Sequence, residues 1–149
     1  RDLKPENVLL GEDGWPVIAD FGLASTAWRE DKPLFSVCGT PEFMAPEVIT
    51  SVGYGAAADW WSLGVLLCQC LTLSAPYADP HCRAQETFSN VVNGKCTMRV
   101  HYRELLSPSA AGLVDGLLAH DPSKRLGSAR RPLRLHAFFW GVDWEAFEE

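Results

Sequence analysis

The stretch that decides the fold runs from Arg1 to Gly22: Arg1-Asp2-Leu3-Lys4-Pro5-Glu6-Asn7-Val8-Leu9-Leu10-Gly11-Glu12-Asp13-Gly14-Trp15-Pro16-Val17-Ile18-Ala19-Asp20-Phe21-Gly22. Gly11-Glu12-Asp13-Gly14 is a reversal signal, because glycine and aspartate supply the backbone conformations a tight turn needs. The apolar triplets on either side, Val8-Leu9-Leu10 and Val17-Ile18-Ala19, predict two short buried strands paired as a hairpin. The simplest antiparallel register sets Leu10 opposite Val17 and Val8 opposite Ala19, which brings Asn7 beside Asp20 at the open end. Directly opposed residues lie about 5 Å apart. An amide oxygen and a carboxylate at that spacing suit a single divalent cation.

The rest of the 149-residue chain bounds the class. Hydrophobic residues make up 47% and charged residues 21%, the balance of one globular domain with enough apolar material for a core. A net charge of −6 argues against a nucleic-acid footprint, which would be basic. The apolar run from Trp60 to Leu73 is interrupted by Ser62 and Gln69 and is shorter than the ~18 residues of a membrane span. It predicts a buried helix, apolar on nearly every face, over Asp59 to Leu73. The five cysteines include no C-x-x-C pair, so free thiols in a reducing, intracellular (cytoplasmic) setting are expected rather than zinc. Ser107-Pro108 reads as a helix start, Arg83 to Val92 as a helix stopped by Asn93-Gly94, and Leu133 to Phe139 as a short terminal helix. His81, His101, His120 and His136 are scattered and read as surface or capping residues.

Asp20-Phe21-Gly22 follows Asn7 by thirteen residues, and Gly39-Thr40-Pro41-Glu42 and Ala45-Pro46-Glu47 come in turn. Each triplet alone is weak. Together, in this order, they resemble the signature of the protein kinases: a catalytic loop carrying Asp and Asn, then D-F-G, then A-P-E. Lys4-Pro5-Glu6-Asn7 resembles the serine/threonine enzymes rather than the tyrosine kinases. Gly39-Thr40-Pro41-Glu42-Phe43, the doubled tryptophan of Asp59-Trp60-Trp61-Ser62-Leu63-Gly64, and Arg125-Leu126-Gly127 resemble the AGC group, with the calmodulin-dependent group as the alternative.

The resemblance implies a kinase C-terminal lobe, mainly α-helical with a short β-hairpin near its start, cut just upstream of the catalytic loop. It covers residues 1–149: catalytic loop 1–7, activation segment 20–47, helical subdomain 48–139, and the start of an AGC-type C-terminal extension at 140–149. It implies ATP and Mg²⁺ as cofactors and protein serine or threonine hydroxyls as substrates. Phosphoryl transfer depends on positioning and charge neutralisation. Asp2 is then the acceptor of the hydroxyl proton, Lys4 offsets charge on the transferred phosphate, and Asn7 and Asp20 hold magnesium. Thr40 bridges to Asp2 with Lys4.

The resemblance also assigns outer roles. Ser36 occupies the activating phosphosite, with Arg1 as the arginine that receives its phosphate, added by an upstream kinase or by autophosphorylation. Glu6 and Glu42 match acidic positions that read basic substrate residues. Val37, Pro41 and Phe43 line the pocket for the residue after the target hydroxyl. Glu47 and Arg125 match a buried ion pair, and Asp59 a helix carboxylate that receives catalytic-loop N–H groups; both charges are expected to be buried and partnered. Two departures stand out. Gln69 replaces the glutamate usual in basophilic relatives, and Ser25 replaces a phosphate-binding lysine, for which Arg29 or Lys32 in the longer stretch Thr26 to Lys32 are substitutes. The competing expectation is a non-catalytic pseudokinase or peptide-docking module. The 149 residues alone are expected to be inactive.

Overall fold

The computed structural model describes residues 1–27, 29, 32–128 and 132–147, with only the backbone of residue 147. Residues 28, 30 and 31 of the Thr26 to Lys32 stretch, and the last two residues of the 140–149 extension, lie outside the described residues.

The chain opens with a 3-10 turn, Pro5–Asn7, and a two-stranded antiparallel ribbon, β1 (Val8–Leu10) and β2 (Pro16–Ile18). The rest is helical: α1 (Pro46–Ile49), α2 (Ala57–Thr72), α3 (Ala84–Val92), α4 (Tyr102–Leu105) and α5 (Pro108–Leu117), with single 3-10 turns at Pro41–Phe43, Leu133–Leu135, Ala137–Phe139 and Glu145–Phe147.

The hairpin is present, but its register differs by one residue from the sequence expectation. Val8 faces Ile18, Leu9 faces Val17 and Leu10 faces Pro16. Trp15 closes the turn by accepting from the Gly11 N–H at 2.8 Å, so the loop is tighter at its distal end than the Gly11–Gly14 signal implied. Asn7 consequently sits opposite Ala19, whose N–H it receives at 2.8 Å, and Asp20 falls just beyond the pairing. A one-residue slip ordinarily sends a side chain to the opposite face. Asp20 lies two residues past the end of β2 with a left-handed φ of 55°, so the expected pairing of Asn7 with Asp20 is not formed. The strands are also exposed rather than buried, with Leu10 80% accessible, since a two-stranded ribbon has no second layer of its own.

Helix α2 organises the body. It buries one face, Ala58, Trp61, Ser62, Gly64, Val65 and Cys68, while Cys70 and Leu71 are exposed. It is therefore one-sided, not apolar all round. It stops where Leu73 turns left-handed at φ 61°. Against its buried face pack Phe43, Met44, Ala45 and Val48 from the segment before it and Val114 and Leu118 from α5. A second cluster, Leu113, Leu117 and Leu126, takes Trp60 and Phe139 on its rim. Trp60 also explains Gly127: at φ +89° any Cβ there would lie 2.2 Å from the Trp60 ring. Ser107 caps α5 by accepting from the Ala110 N–H, with Pro108 at the first helical position. Residues 133–139 form two 3-10 turns rather than one helix, because His136 between them is extended. His101 and His136 cap local turns, and His120 packs edge-on to Trp61 while bonding the Val91 carbonyl oxygen at 2.8 Å.

One polar contact crosses this core. The Arg125 side chain is fully buried and grips Glu47 in a two-pronged pair, Nη1 to Oε1 at 2.6 Å and Nη2 to Oε2 at 3.0 Å, 78 residues apart in sequence. Its remaining donors reach the carbonyl oxygens of Ala119, Ala57 and His120, and its carbon lies 5.2 Å over the Trp61 ring. Removing one member of such a pair strands the other charge without water. Arg125→Ala should cost about 3–5 kcal/mol in urea-monitored unfolding; a loss under about 1 kcal/mol, the range of an exposed pair, would show that the contact carries no structural weight.

Candidate active site

The first seven residues fold onto themselves. Pro5 presets the 3-10 turn,, and the Asn7 side-chain N–H donates to the Asp2 carbonyl oxygen at 2.8 Å. Asn7 is buried, and this bond occupies its amide nitrogen, leaving the amide oxygen as the side chain's ligand atom.

Asp2 is the centre of the cluster, 12% exposed at its side chain. Its Oδ1 accepts from the Thr40 main-chain N–H at 2.8 Å and from the Thr40 hydroxyl at 2.7 Å. Its Oδ2 lies 3.0 Å from Lys4 Nζ, which also donates to Thr40 Oγ1 at 2.8 Å. Asp2, Lys4 and Thr40 thus close a three-membered ring of charge-assisted bonds. Burial works to raise the Asp2 carboxyl, but the bonds from Thr40 and Lys4 outweigh it and hold the group below its ordinary value. Lys4 is raised in turn, first by its bond to Asp2 and then by the charges of Asp2, Glu6 and Asp20. Asp2 is therefore an anion at neutral pH beside a full cation.

Thr40 reaches this ring from 38 residues away because Gly39 permits a close crossing. At φ +113° a Cβ on Gly39 would lie 2.8 Å from the Arg1 carbonyl oxygen, so only glycine lets the two loops touch.

Asp20 lines a cavity of about 180 Å³ with Arg1, Asp2, Leu3 and Phe21. Its Oδ1 accepts from the Gly22 N–H at 3.1 Å. Asn7 and Asp20 are hard oxygen donors at the shared end of the ribbon, a chemistry that fits Mg²⁺. Among the described residues no cluster of three or more His, Cys, Asp or Glu forms a further metal site.

Arg1 connects this centre to Leu23, Ser36 and Tyr54. Its Nε donates to the Leu23 carbonyl oxygen at 2.5 Å, and Nη1 donates to Ser36 Oγ at 2.9 Å and Tyr54 Oη at 3.2 Å. Ser36 is exposed. Arg29 and Lys32, the substitutes considered for the missing lysine, bridge each other through their main chains, and Ser25 Oγ accepts from the Ala27 N–H.

The outer residues are mixed. Glu6 is exposed and Glu42 half-buried. Val37 is exposed and Pro41 half-buried, but Phe43 is 6% exposed and belongs to the main core, so it offers little wall to a ligand. Asp59 corrects the expectation of a buried carboxylate: its side chain is 55% exposed, with Oδ1 3.4 Å from the Arg1 nitrogen. Gln69 keeps its amide oxygen buried without a hydrogen-bond partner.

Two features escaped the sequence reading. Tyr54, buried before α2, places its hydroxyl against Ser36 and Arg1; nothing in the sequence around it signals this. Asp79 accepts from the His81 and Arg83 N–H groups and from Arg83 Nε and Nη2, at 2.9–3.1 Å. Here a signal existed, the i,i+4 spacing of opposite charges.

Comparison with known proteins follows the same lines. The protein kinase domain family matches residues 1–139. Protein kinase 2 of Dictyostelium discoideum is 39% identical over 149 residues, 99% of this chain and 30% of that protein. Ribosomal protein S6 kinase alpha-6 of Danio rerio is 41% identical and ribosomal protein S6 kinase alpha-1 of Homo sapiens 40%, each over 97% of this chain and 19% of the relative. The chain thus spans about a third or less of the curated relatives it matches.

The bond from Arg83 holds the Asp79 carboxyl far below its ordinary 3.8. The stability that this pair contributes is present above that ordinary value and is lost as pH falls through the lower folded value. In melting curves taken across the acid range, Asp79→Asn should be destabilised at pH 7 and lose less than the wild type on acidification. Parallel acid limbs in the two proteins would remove Asp79 from the account.

Proposed function

The chain belongs to the protein kinase domain family, of the AGC serine/threonine type, and on that premise we propose that it carries the phosphate-transfer half of an ATP-dependent protein serine/threonine kinase. The observation that carries this reading is the closed ring of Asp2, Lys4 and Thr40.

An entering serine or threonine hydroxyl meets Asp2 as its hydrogen-bond acceptor. The loose transition state of phosphoryl transfer needs that hydroxyl oriented more than it needs a strong base, which suits a carboxylate held low by its donors. Lys4 stands where negative charge grows on the transferred group. Thr40 ties both side chains to the activation segment, so the centre is complete only when that segment is in place. Asn7 and Asp20 would hold Mg²⁺, which when bound with ATP neutralises the charge of the phosphates. Glu6 and Glu42 favour basic residues in the protein substrate, with Gln69 weakening that preference. Val37 and Pro41 offer an apolar contact to the residue after the target.

Ser36 is read as the regulatory phosphosite, modified by an upstream kinase or by autophosphorylation; the Arg1 guanidinium 2.9 Å from its hydroxyl supports this. Five free cysteines fit a reducing intracellular, cytoplasmic setting,, and among the described residues no helix is long and apolar enough to cross a membrane. Residues 1–149 hold no glycine-rich phosphate loop and no V-A-I-K-type strand,, so they are read as the C-lobe portion of the catalytic unit, inactive by themselves.

Full-length protein carrying this chain should phosphorylate serine peptides in the presence of Mg²⁺ and ATP. Asp2→Asn should lower kcat by about 10²–10⁴ with little change in KM. No activity in either protein would favour the non-catalytic docking module instead, and equal measurable rates would remove Asp2 as the proton acceptor. The isolated 149 residues should transfer no phosphate to the same peptides.

A further inference from the structure

Tyr54 belongs to none of the signature motifs. Its ring is buried, and its hydroxyl sits among four polar groups. It donates to the Ser36 carbonyl oxygen at 2.7 Å, receives Arg1 Nη1 at 3.2 Å, and lies 3.4 Å from Ser36 Oγ and 3.9 Å from Cys38 Sγ. Its main chain forms a bridge with Leu34, each N–H donating to the other's carbonyl oxygen at 2.9 Å. Residues 34 and 36 are therefore fastened to the residue that leads into α2, one by backbone and one by side chain.

A phenol has one proton to give and lone pairs to receive with. Tyr54 spends the proton on the Ser36 main chain and accepts from Arg1. It thereby fixes both partners of a later ion pair, the residue that would bear the phosphate and the guanidinium that would receive it. Arg1 precedes Asp2, and its carbonyl oxygen is the atom that Gly39 crosses. Ser36 and the ring of Asp2, Lys4 and Thr40 thus share Arg1 as a neighbour.

We propose that Tyr54 is a positioning residue of the activation segment: its hydroxyl pre-aligns Ser36 with Arg1, so that a phosphate on Ser36 meets the guanidinium without further ordering of the loop. The inference rests on the reading of Ser36 as a phosphosite. In that modification the Ser36 Oγ–P bond forms and the bond from the γ-phosphorus of ATP to its bridging oxygen breaks. ADP leaves with the electron pair, and the hydroxyl proton passes to a base of the modifying kinase. Charge-assisted bonds then join the phosphate to Arg1. Ordering a loop residue costs backbone entropy, and the Tyr54 contacts have already met that cost before the phosphate arrives.

The test uses the full-length protein as wild type, Tyr54→Phe, Ser36→Ala and the double variant, each assayed after treatment with an activating kinase and after phosphatase. The stimulation of kcat by phosphorylation should fall about five- to tenfold in Tyr54→Phe, the effect of losing one hydrogen bond in a charged network, with KM for the peptide little changed. Phosphate on Ser36 should be lost to phosphatase faster by a similar factor. In the Ser36→Ala background Tyr54→Phe should have no further effect on stimulation. Wild-type stimulation and protection in Tyr54→Phe overturn the proposal, as does an equal loss in both phosphorylation states, which would mark a packing role alone. If Ser36→Ala keeps full stimulation, the phosphosite reading itself fails and this inference with it; if Ser36→Ala loses stimulation while Tyr54→Phe does not, only the role of Tyr54 falls. Hydrogen exchange on the unphosphorylated wild type gives a check independent of any variant. The Leu34 and Tyr54 amides should be protected about tenfold or more, and exchange at free-chain rates would overturn the pre-alignment.

Discussion

The buried contact between Arg125 and Glu47 holds together parts of the chain that nothing local would bring near each other. Glu47 sits in α1, at the end of the segment 20–47, and Arg125 follows α5. The pair therefore decides how the segment approaches the helical body. Burying two charges is costly unless every donor and acceptor is met. Here the guanidinium satisfies three backbone carbonyl oxygens besides the carboxylate, and Trp61 covers its face. A hydrophobic pair of similar size would fill the same space without directing it. The two-pronged geometry selects one orientation of α1, and Phe43 and Thr40 stand just upstream of it.

That orientation carries through to the cluster of Asp2, Lys4 and Thr40. Asp2 belongs to a loop at one end of the chain, and Thr40 to a segment that must return across it. Gly39 lets the backbones meet, and the hydroxyl of Thr40 then links an anion to a cation at hydrogen-bond distances. The carboxyl is kept ionised by its donors rather than by exposure to water. A centre assembled from two distant loops is sensitive to the conformation of either one. The position of Thr40 therefore bears directly on Asp2 and Lys4, 38 and 36 residues away in sequence. Arg1 and Tyr54 extend the same logic outward, tying the exposed Ser36 to the rim of α2 and to the neighbour of Asp2.

The motifs and the helical body were legible because they depend on local order and composition. Asp2, Asn7, Asp20, Thr40 and Glu47 are identified by residue type at set intervals, α5 by its Ser107-Pro108 start, and α2 by its apolar run. The hairpin was legible as a hairpin, but its register was not. Trp15 tightens the turn and shifts the pairing by one, and no rule of composition chooses between two registers of three-residue strands. The exposure of β1 and β2 and of Asp59 was likewise hidden, since an apolar triplet or a helix carboxylate reads the same whether or not something covers it.

The sequence by itself determined the family to which the chain belongs, because the protein kinase motifs are particular side chains whose types and order survive in the linear text. Tertiary structure alone decided which of them meet. The crossing at Gly39 and the hydroxyl of Tyr54 against Ser36 and Arg1 are contacts between segments far apart in sequence. Such contacts depend on distances in space, and residue intervals along the chain do not encode them.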